Sequence, residues 1–489
     1  MEVTLKKEEL RSFRNVYRAR IEQEETMEAV VPDSLPDAEE LLDADAVIFL
    51  RSKETEDGAV TTAAQLQGSI LYRGEGGGIY TVPLSCAVSL RWEDADIRRE
   101  DQVQLRLRAV SCDARPVNPR KLLLRCSVEA EAECYREEVC EYTTEAEGEG
   151  IRQRQIKENV GLISEVKEKT FVISEELPLS DGEAAEEILL SRISSSVEDV
   201  RDVAGKAVVQ GKLHLELLYL AEETPKFREY TVPFSQILDA PEDVSFTRIT
   251  LLPTAYYMEI LPGGFGRGFA LEAHMVAQAT FCTEKEICCL ADAYSTVCPE
   301  KLDREEITFS APGREQSRRI TLRDTAELRE DVSSILWCYV NSLRTASENN
   351  GTRLTAHAHV YYRNGAGETS CTQIMLKDET NEELTTGHTE LRAVECYASP
   401  LGKGIEVRAA LEMCSTEDTV VTITPVCAVR LAADEPYELR KRPALTAVRN
   451  TDGDIWALAK KCLTTTELIE EANPGTREIG SFLLIPRVR

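Results

Sequence analysis

The chain has 489 residues, 86 of them acidic and 57 basic, which gives a net charge of −29. A surface this negative repels phosphate backbones and anionic lipid head groups, which argues against nucleic-acid binding and against binding to a membrane surface. Hydrophobic residues make up 42% of the chain, enough for several folded cores at about 100–200 residues per domain.

The chain shows no sign of export or of membrane insertion. No stretch approaches the roughly 20 consecutive apolar residues that a membrane helix needs. Residues 1–11 lack the apolar core of a secretory signal. We therefore expect a cytoplasmic protein, in which the fifteen cysteines serve as small buried hydrophobic residues.

Three stretches of the chain are imperfect copies of one another, and each carries a tyrosine at the same place. The copies read QGSILYR around Tyr72, HLELLYL around Tyr219 and, more faintly, HVYYRN around Tyr362. Apolar and polar residues alternate at 102–110, which is typical of a half-buried strand. We predict a mainly β protein of three tandem, sandwich-like modules, at 20–145, 165–300 and 315–432, after an N-terminal arm at 1–19.

Two of the modules are predicted to begin with a short helix. The first would span 35–42 with Asp37 as its cap, and the second 180–189 with Ser180 or Asp181 as its cap. The acidic stretch at 145–150 and the charged run at 300–306 are expected to connect the modules.

The last residues change character and predict a strand-helix-helix-strand unit within 443–489. Strands are expected at 445–449 and 482–486. Asp454 is a natural cap for a first helix, and a threonine in 464–466 caps a second helix that stops at Asn473 and the proline after it.

This C-terminal unit resembles a LysM domain. The resemblance rests on DIWALAK at 454–460, the threonines at 464–466, Asn473 and LLIP at 483–486. LysM domains that bind glycan use two loops, and both differ here: Asp452-Gly453 stands where the family has Gly-Asp, and the loop at 474–480 is short. The resemblance implies that partner-contact residues lie in these loops. They are Asp454, Ile455, Asn473, Pro474, Gly475 and Thr476.

The repeated module resembles the SPOCS domain of SipL-like spore-coat morphogenetic proteins from endospore-forming Clostridia. The residues that carry this are VPDSLPD at 31–37, GSILY at 68–72, their echoes at 177–178, 187–189 and 218–219, and AYST at 293–296. The resemblance implies a protein of the mother-cell cytoplasm and forespore surface. It would help to attach the spore coat, together with other coat proteins, and dock the coat-basement ATPase through its LysM-like domain.

No residue pattern points to catalysis, to a metal or to a cofactor, and we expect none. Cys134 and Cys140 recur as Cys282 and Cys288, but six residues along a strand separate two sulfurs by roughly 20 Å, too far for one ion. His357 and His359 share a strand face without an evident third ligand. Two alternatives remain: a glycan-binding protein acting through the LysM-like domain, and a hydrolase that uses some of the many carboxylates.

Overall fold

The protein is mainly β, as the sequence predicts, and a computed structural model describes residues 3–180, 183–261, 267–348, 351–380, 388–451, 453–475 and 479–488. Three consecutive modules share one arrangement. The first and last strands of each module pair antiparallel as a ribbon, and the last strand also pairs with the strand before it. The remaining three strands form a separate sheet, which we call the inner sheet.

Module 1 shows this arrangement most regularly. Its strands are β1 (Thr4–Val30), β2 (Ala38–Glu56), β3 (Ala59–Gly74), β4 (Ile79–Glu93), β5 (Gln102–Asn118) and β6 (Lys121–Glu147). β1 pairs with β6 along its whole length, so the segment expected as an N-terminal arm is part of the ribbon from Thr4 onward. The inner sheet β2–β3–β4 packs against the ribbon, with Leu66, Ile70 and Trp92 fully buried between the layers.

Module 2 repeats the arrangement with a ribbon of nearly the same length. Its strands are β7 (Ile151–Pro178), β8 (Glu187–Val203), β9 (Lys206–Ala221), β10 (Thr224–Asp239), β11 (Phe246–Ile260) and β12 (Gly268–Ser295). The acidic connector at 145–150 narrows to a tight turn, where Gly150 has a φ of +74° that favours glycine. Residues 262–266, between β11 and β12, lie outside the described residues.

Module 3 has the same order but a broken ribbon. Its strands are β13 (Glu300–Arg304), β14 (Ile307–Pro312), β15 (Gln316–Glu327), β16 (Val332–Glu348), β17 (Gly351–Asn364), β18 (Thr369–Thr380), β19 (His388–Leu401), β20 (Gly404–Thr416), β21 (Asp418–Ile423) and β22 (Val426–Leu431). Gly313 separates β14 from β15, and Pro425 separates β21 from β22. Proline has no N–H for the strand ladder, which explains one of these breaks.

The two short helices predicted at the start of modules 1 and 2 are wrong. β2 begins at Ala38 and β8 at Glu187, and each pairs with the next strand of its inner sheet. These segments contain good helix formers, but pairing with a neighbouring strand overrides local propensity when one face is buried. Leu42 and Leu189 are buried in the structure as strand residues.

The inner sheets of the three modules meet at the centre of the molecule, and we call this contact the junction. The repeated tyrosines Tyr72, Tyr219 and Tyr362 point into their own modules. Since successive strand residues face opposite sides, the preceding residues face the junction. Leu71, Leu218 and Tyr361 pack there in one cluster.

The C-terminal unit has the predicted order of elements. It comprises β23 (Leu445–Arg449), α1 (Ile455–Cys462), α2 (Thr466–Ala472) and β24 (Phe482–Pro486). The side chain of Asp454 accepts hydrogen bonds from the backbone at the start of α1, and Thr465 does the same for α2, so both predicted kinds of cap are confirmed. No helix in the described part of the chain is long and apolar enough to cross a membrane.

Candidate interaction site

The C-terminal unit is anchored to module 2 through the end of β12. Tyr294 is 1% exposed, and its ring contacts Trp456 edge-on at a centroid distance of 4.9 Å. The Tyr294 hydroxyl donates a 2.7 Å hydrogen bond to the carbonyl of Thr464. The AYST motif that contributed to the family resemblance is therefore the surface on which the C-terminal unit rests.

An acidic side chain of module 2 completes this contact. The indole Nε1 of Trp456 donates to Asp292 at 2.9 Å, and Lys460 Nζ lies 2.8 Å from the same carboxylate. Burial opposes the ionisation of Asp292, but the bonds from Lys460 and Trp456 outweigh it and lower the pKa of this carboxyl. Trp456 is half-buried and contacts Asp292 as well as its own unit, so it bridges two parts of the chain.

The two loops predicted to contact a partner lie side by side. Gly480 donates its backbone N–H to the carbonyl of Asn450 at 2.6 Å, and Gly453 donates to the Asn450 side chain at 3.0 Å. Asp454 is exposed and lies 3.4 Å from Arg154 of module 2. The start of α1 is therefore turned toward module 2.

The remaining predicted contact residues have different surroundings. Ile455 is partly buried against the core of the unit, and Pro474 and Gly475 are exposed. The Asn473 side chain is engaged within the unit, because it donates to the carbonyls of Ile469 and Leu484, each at 2.7 Å. Thr476 lies outside the described residues. Partner contact through these loops stays a prediction.

Sequence reasoning missed a second exposed surface on the same unit. Strands β23 and β24 form a two-stranded antiparallel sheet that turns one face toward the helices and the other toward solvent, where Leu445 is 51%, Phe482 69% and Leu484 42% exposed. Ile479 beside them is 71% exposed. The uninterrupted apolar run FLLIP at 482–486 could have indicated this face, since alternate residues of a strand point to opposite sides and only one side can enter the core of the unit.

A second polar cluster, at the junction, brings together residues from distant parts of the sequence. Asp43 of module 1 accepts hydrogen bonds from Tyr339 at 2.7 Å and from Tyr361 at 2.5 Å, both in module 3. His359 Nδ1 lies 2.8 Å from the other oxygen of the same carboxylate. Burial disfavours the charged carboxylate, yet His359 and the two hydroxyls lower the pKa of Asp43 below its usual range.

Module 2 contributes a cation to this junction. The guanidinium of Arg192 lies 3.6 Å from the centroid of the Tyr339 ring, a cation–π contact. It also lies 3.5 Å from Asp45 and 3.6 Å from Glu216. Glu216 in turn accepts a hydrogen bond from the Trp337 indole at 3.3 Å. All three modules therefore take part in one buried polar network.

The junction brings His359 together with two other potential metal ligands, which the sequence did not reveal. Asp43, His359 and Cys371 place an oxygen, a nitrogen and a sulfur within 4.8 Å of one another. Asp43 already accepts several hydrogen bonds, and burial raises the pKa of Cys371 well above its ordinary value, so the protonated thiol is the stable form. We interpret the group as a structural network. His357 lies outside it, 2.8 Å from Gln373.

The recurring cysteines are distributed between the core and its margin. Cys134 and Cys282 are buried, and burial raises the pKa of each thiol to about 12. Cys140 and Cys288 are half-buried. The raised pKa values keep the two buried sulfurs protonated and unreactive near neutral pH.

The comparisons with known proteins concern module 2. Residues 184–251, which include β8, β9 and β10, match the family model of SipL, SPOCS domain. No curated protein and no solved structure matches the chain. The matched segment contains the inner sheet of module 2, including Arg192 and Glu216 of the junction. The second module of this chain is therefore similar to the SPOCS domain of the SipL family.

Proposed function

We propose that this protein is a non-enzymatic scaffold in endospore coat assembly. In this proposal the three modules form the body, and the C-terminal LysM-like unit docks a protein partner at the forespore surface, on the mother-cell side. By the family resemblance, that partner is the ATPase of the coat's basement layer. The match of module 2 to a SPOCS domain supports a sporulation-related role.

The observation that carries the docking role is the exposed apolar surface of the C-terminal unit. Tyr294 and Asp292 hold this unit on the end of β12, so it is presented at a fixed place on the body. It nevertheless leaves Phe482 and Ile479 more than two-thirds exposed. Adjacent exposed apolar side chains of this size are typical of protein–protein contact surfaces.

A glycan-binding role is the alternative to be tested alongside. It would use the same two loops, in which Asn473 already hydrogen-bonds within the unit and Asp454 faces Arg154. A sugar would have to compete with these bonds for the polar groups that glycan recognition requires. The protein-docking role therefore has the stronger support.

The experiment is capture of proteins from a sporulating host lysate. The full-length chain is compared with a version that ends at Glu438, and both are also sedimented with peptidoglycan. We expect the full-length chain alone to capture the basement-layer ATPase. Sedimentation with peptidoglycan in the absence of any captured protein would contradict the proposal and support glycan binding.

A further inference from the structure

The solvent-facing side of the two-stranded β23–β24 sheet concentrates exposed apolar side chains. We call Leu445, Ala447, Phe482, Leu484 and Ile479, which shortly precedes β24, the β23–β24 face. Four of these five are among the sixteen large hydrophobic side chains that are exposed in the described part of the chain. The C-terminal unit is a small fraction of the protein, so this share indicates a surface that another molecule covers.

The two edges of this two-stranded sheet differ. On β24, the Asn473 side chain donates to the Leu484 carbonyl and accepts from the Leu484 N–H, both at 2.7 Å, as a neighbouring strand would. At the two ends of β23, the flanking residues Ala444 and Asn450 direct backbone groups toward β24 and its neighbours. Because these groups alternate in direction along a strand, the N–H and C=O of Ala447 point away from β24, and β23 is an open edge.

The surroundings of this open edge are basic, although the chain as a whole is acidic. Residues 439–451 and 479–488 contain five arginines and lysines and no acidic residue, in a chain whose net charge is −29. Lys441 among them is ion-paired with Glu438, so Arg442 and Arg449 carry the charge argument. Arg442 and Arg449 donate hydrogen bonds to the carbonyls of Cys462 and Gly480, which orient the guanidinium groups without cancelling their charge. An acidic segment is therefore the complementary ligand.

We propose that β23 is a docking edge for an extended acidic segment of a partner protein. The segment adds as a third strand beside Ala447, lays alternate apolar side chains along the β23–β24 face and places its carboxylates near Arg449 and Arg442. Strand addition obtains affinity from backbone hydrogen bonds and selectivity from alternate side chains. This inference rests on the proposed protein-docking function and specifies the surface and the chemistry of the partner.

The decisive variant is Ala447→Pro in the full-length chain. Proline removes the outward N–H and leaves the bonds between β23 and β24 in place. Arg449→Glu tests the contribution of charge, and Phe482→Ser tests the apolar contact. Arg115→Glu, at an exposed position of β5, is the matched charge control. Unchanged circular dichroism and melting temperature show which variants are folded.

The probe is a labelled peptide of about ten residues that alternates valine and glutamate, compared by fluorescence anisotropy with a valine–lysine peptide. We expect the acidic peptide to bind the native chain, more weakly at high salt, and each of the three variants to weaken binding about tenfold or more. Arg115→Glu should bind as the native chain does. Equal binding of both peptides, no binding of either, or undiminished binding by all three folded variants would overturn the proposal.

Three further outcomes separate this inference from its alternatives and from the proposed function. If the lysate partner is captured equally by the native chain and by the folded variants, the open edge is not the docking site, while the docking function stands. If the native chain self-associates in sedimentation velocity and Ala447→Pro does not, the occupant is a second copy, and a partner segment is contradicted. If no lysate protein is captured although the acidic peptide binds the edge, the proposed function fails and the edge remains a binding site.

Discussion

The junction and the β23–β24 face depart in opposite ways from the usual distribution of polar and apolar residues between interior and surface. At the junction, Asp43 and His359 are 7% and 5% exposed, although charged and polar groups normally remain in water. At the β23–β24 face, Phe482 and Leu484 are exposed, although such side chains are normally buried away from water. Hydrogen bonds and ion pairs within the chain satisfy the buried polar groups of the junction. The exposed apolar groups of the β23–β24 face are left for a molecule outside the C-terminal unit to cover.

The chemistry of the junction shows why three similar modules can occupy fixed places. Equivalent strand positions carry Asp45 in module 1, Arg192 in module 2 and Tyr339 in module 3, opposite Ser69, Glu216 and His359. An acid, a cation and an aromatic ring complement one another, whereas three copies of one side chain would not distinguish the modules. We therefore infer that the polar junction specifies the assembly of the modules, a role that a uniformly apolar contact would perform less selectively.

The largest expected effect comes from breaking the junction. Asp43→Ala removes the acceptor of Tyr339, Tyr361 and His359 and leaves three buried donors unsatisfied. We expect a loss of about 3–5 kcal/mol in the free energy of unfolding, measured by denaturant titration. Asp33→Ala, at a fully exposed position, should change it by less than about 0.5 kcal/mol. Equal effects of both variants would contradict the structural role of Asp43.

The second prediction concerns acid stability and Glu133, a buried carboxylate between modules 1 and 2. Burial opposes its ionisation, but Arg248, Arg106 and Arg18 lower its pKa from 4.5 to about 2. A depressed folded-state pKa stabilises the protein above pH 4.5, and this contribution of about 3 kcal/mol disappears as the pH falls from 4.5 toward 2. The stability difference between the native chain and Glu133→Gln should therefore shrink across this range. A difference independent of pH would refute the assignment.

A smaller effect is expected where the C-terminal unit meets module 2. Lys460→Met keeps the apolar stem but removes the ion pair with Asp292, and should weaken docking by about 1–2 kcal/mol. The connector at 432–444 should then be cleaved about tenfold faster in limited proteolysis. Lys461→Met, at the exposed neighbouring position, is the control. Equal cleavage of the two variants would indicate that the ion pair does not hold the unit in place.

The smallest effect on stability is expected at the β23–β24 face itself. Phe482→Ser should change the free energy of unfolding by no more than about 0.5 kcal/mol, because this side chain is already in water. Leu483→Ala on the opposite face, where Leu483 is 1% exposed, should cost about 2–5 kcal/mol. Thermal denaturation of the two variants checks the contrast, and a large loss for Phe482→Ser would show that its exposure is incorrectly described.

Much of the architecture follows from the sequence because it depends on repetition and local chemistry. The recurring tyrosines mark the same strand in each inner sheet, and capping by Asp454 and Thr465 defines the two helices of the C-terminal unit. The short helices expected at 35–42 and 180–189 fail because strand pairing outweighs local propensity there.

The polar junction and the β23–β24 face were harder to predict. Equivalent junction positions carry different residues in each copy, so repetition conceals them, and Asp43 lies 316 positions before His359. The role of Trp456 depends on Asp292, a residue of another module. The exposure of Phe482 becomes clear only once the helices are seen to occupy the opposite face of the β23–β24 sheet. Each of these features depends on contacts between distant segments, which local patterns do not encode.

The most direct test of the account is hydrogen–deuterium exchange on the full-length chain, alone and in complex with its captured partner. We expect new protection in β23 and β24, and unchanged exchange at the junction strands β2 and β17, which are already protected within the free chain. Protection confined to the loop after Asn473, or to the modules with none in β23 and β24, would contradict the claim that the C-terminal unit docks the partner through its exposed sheet.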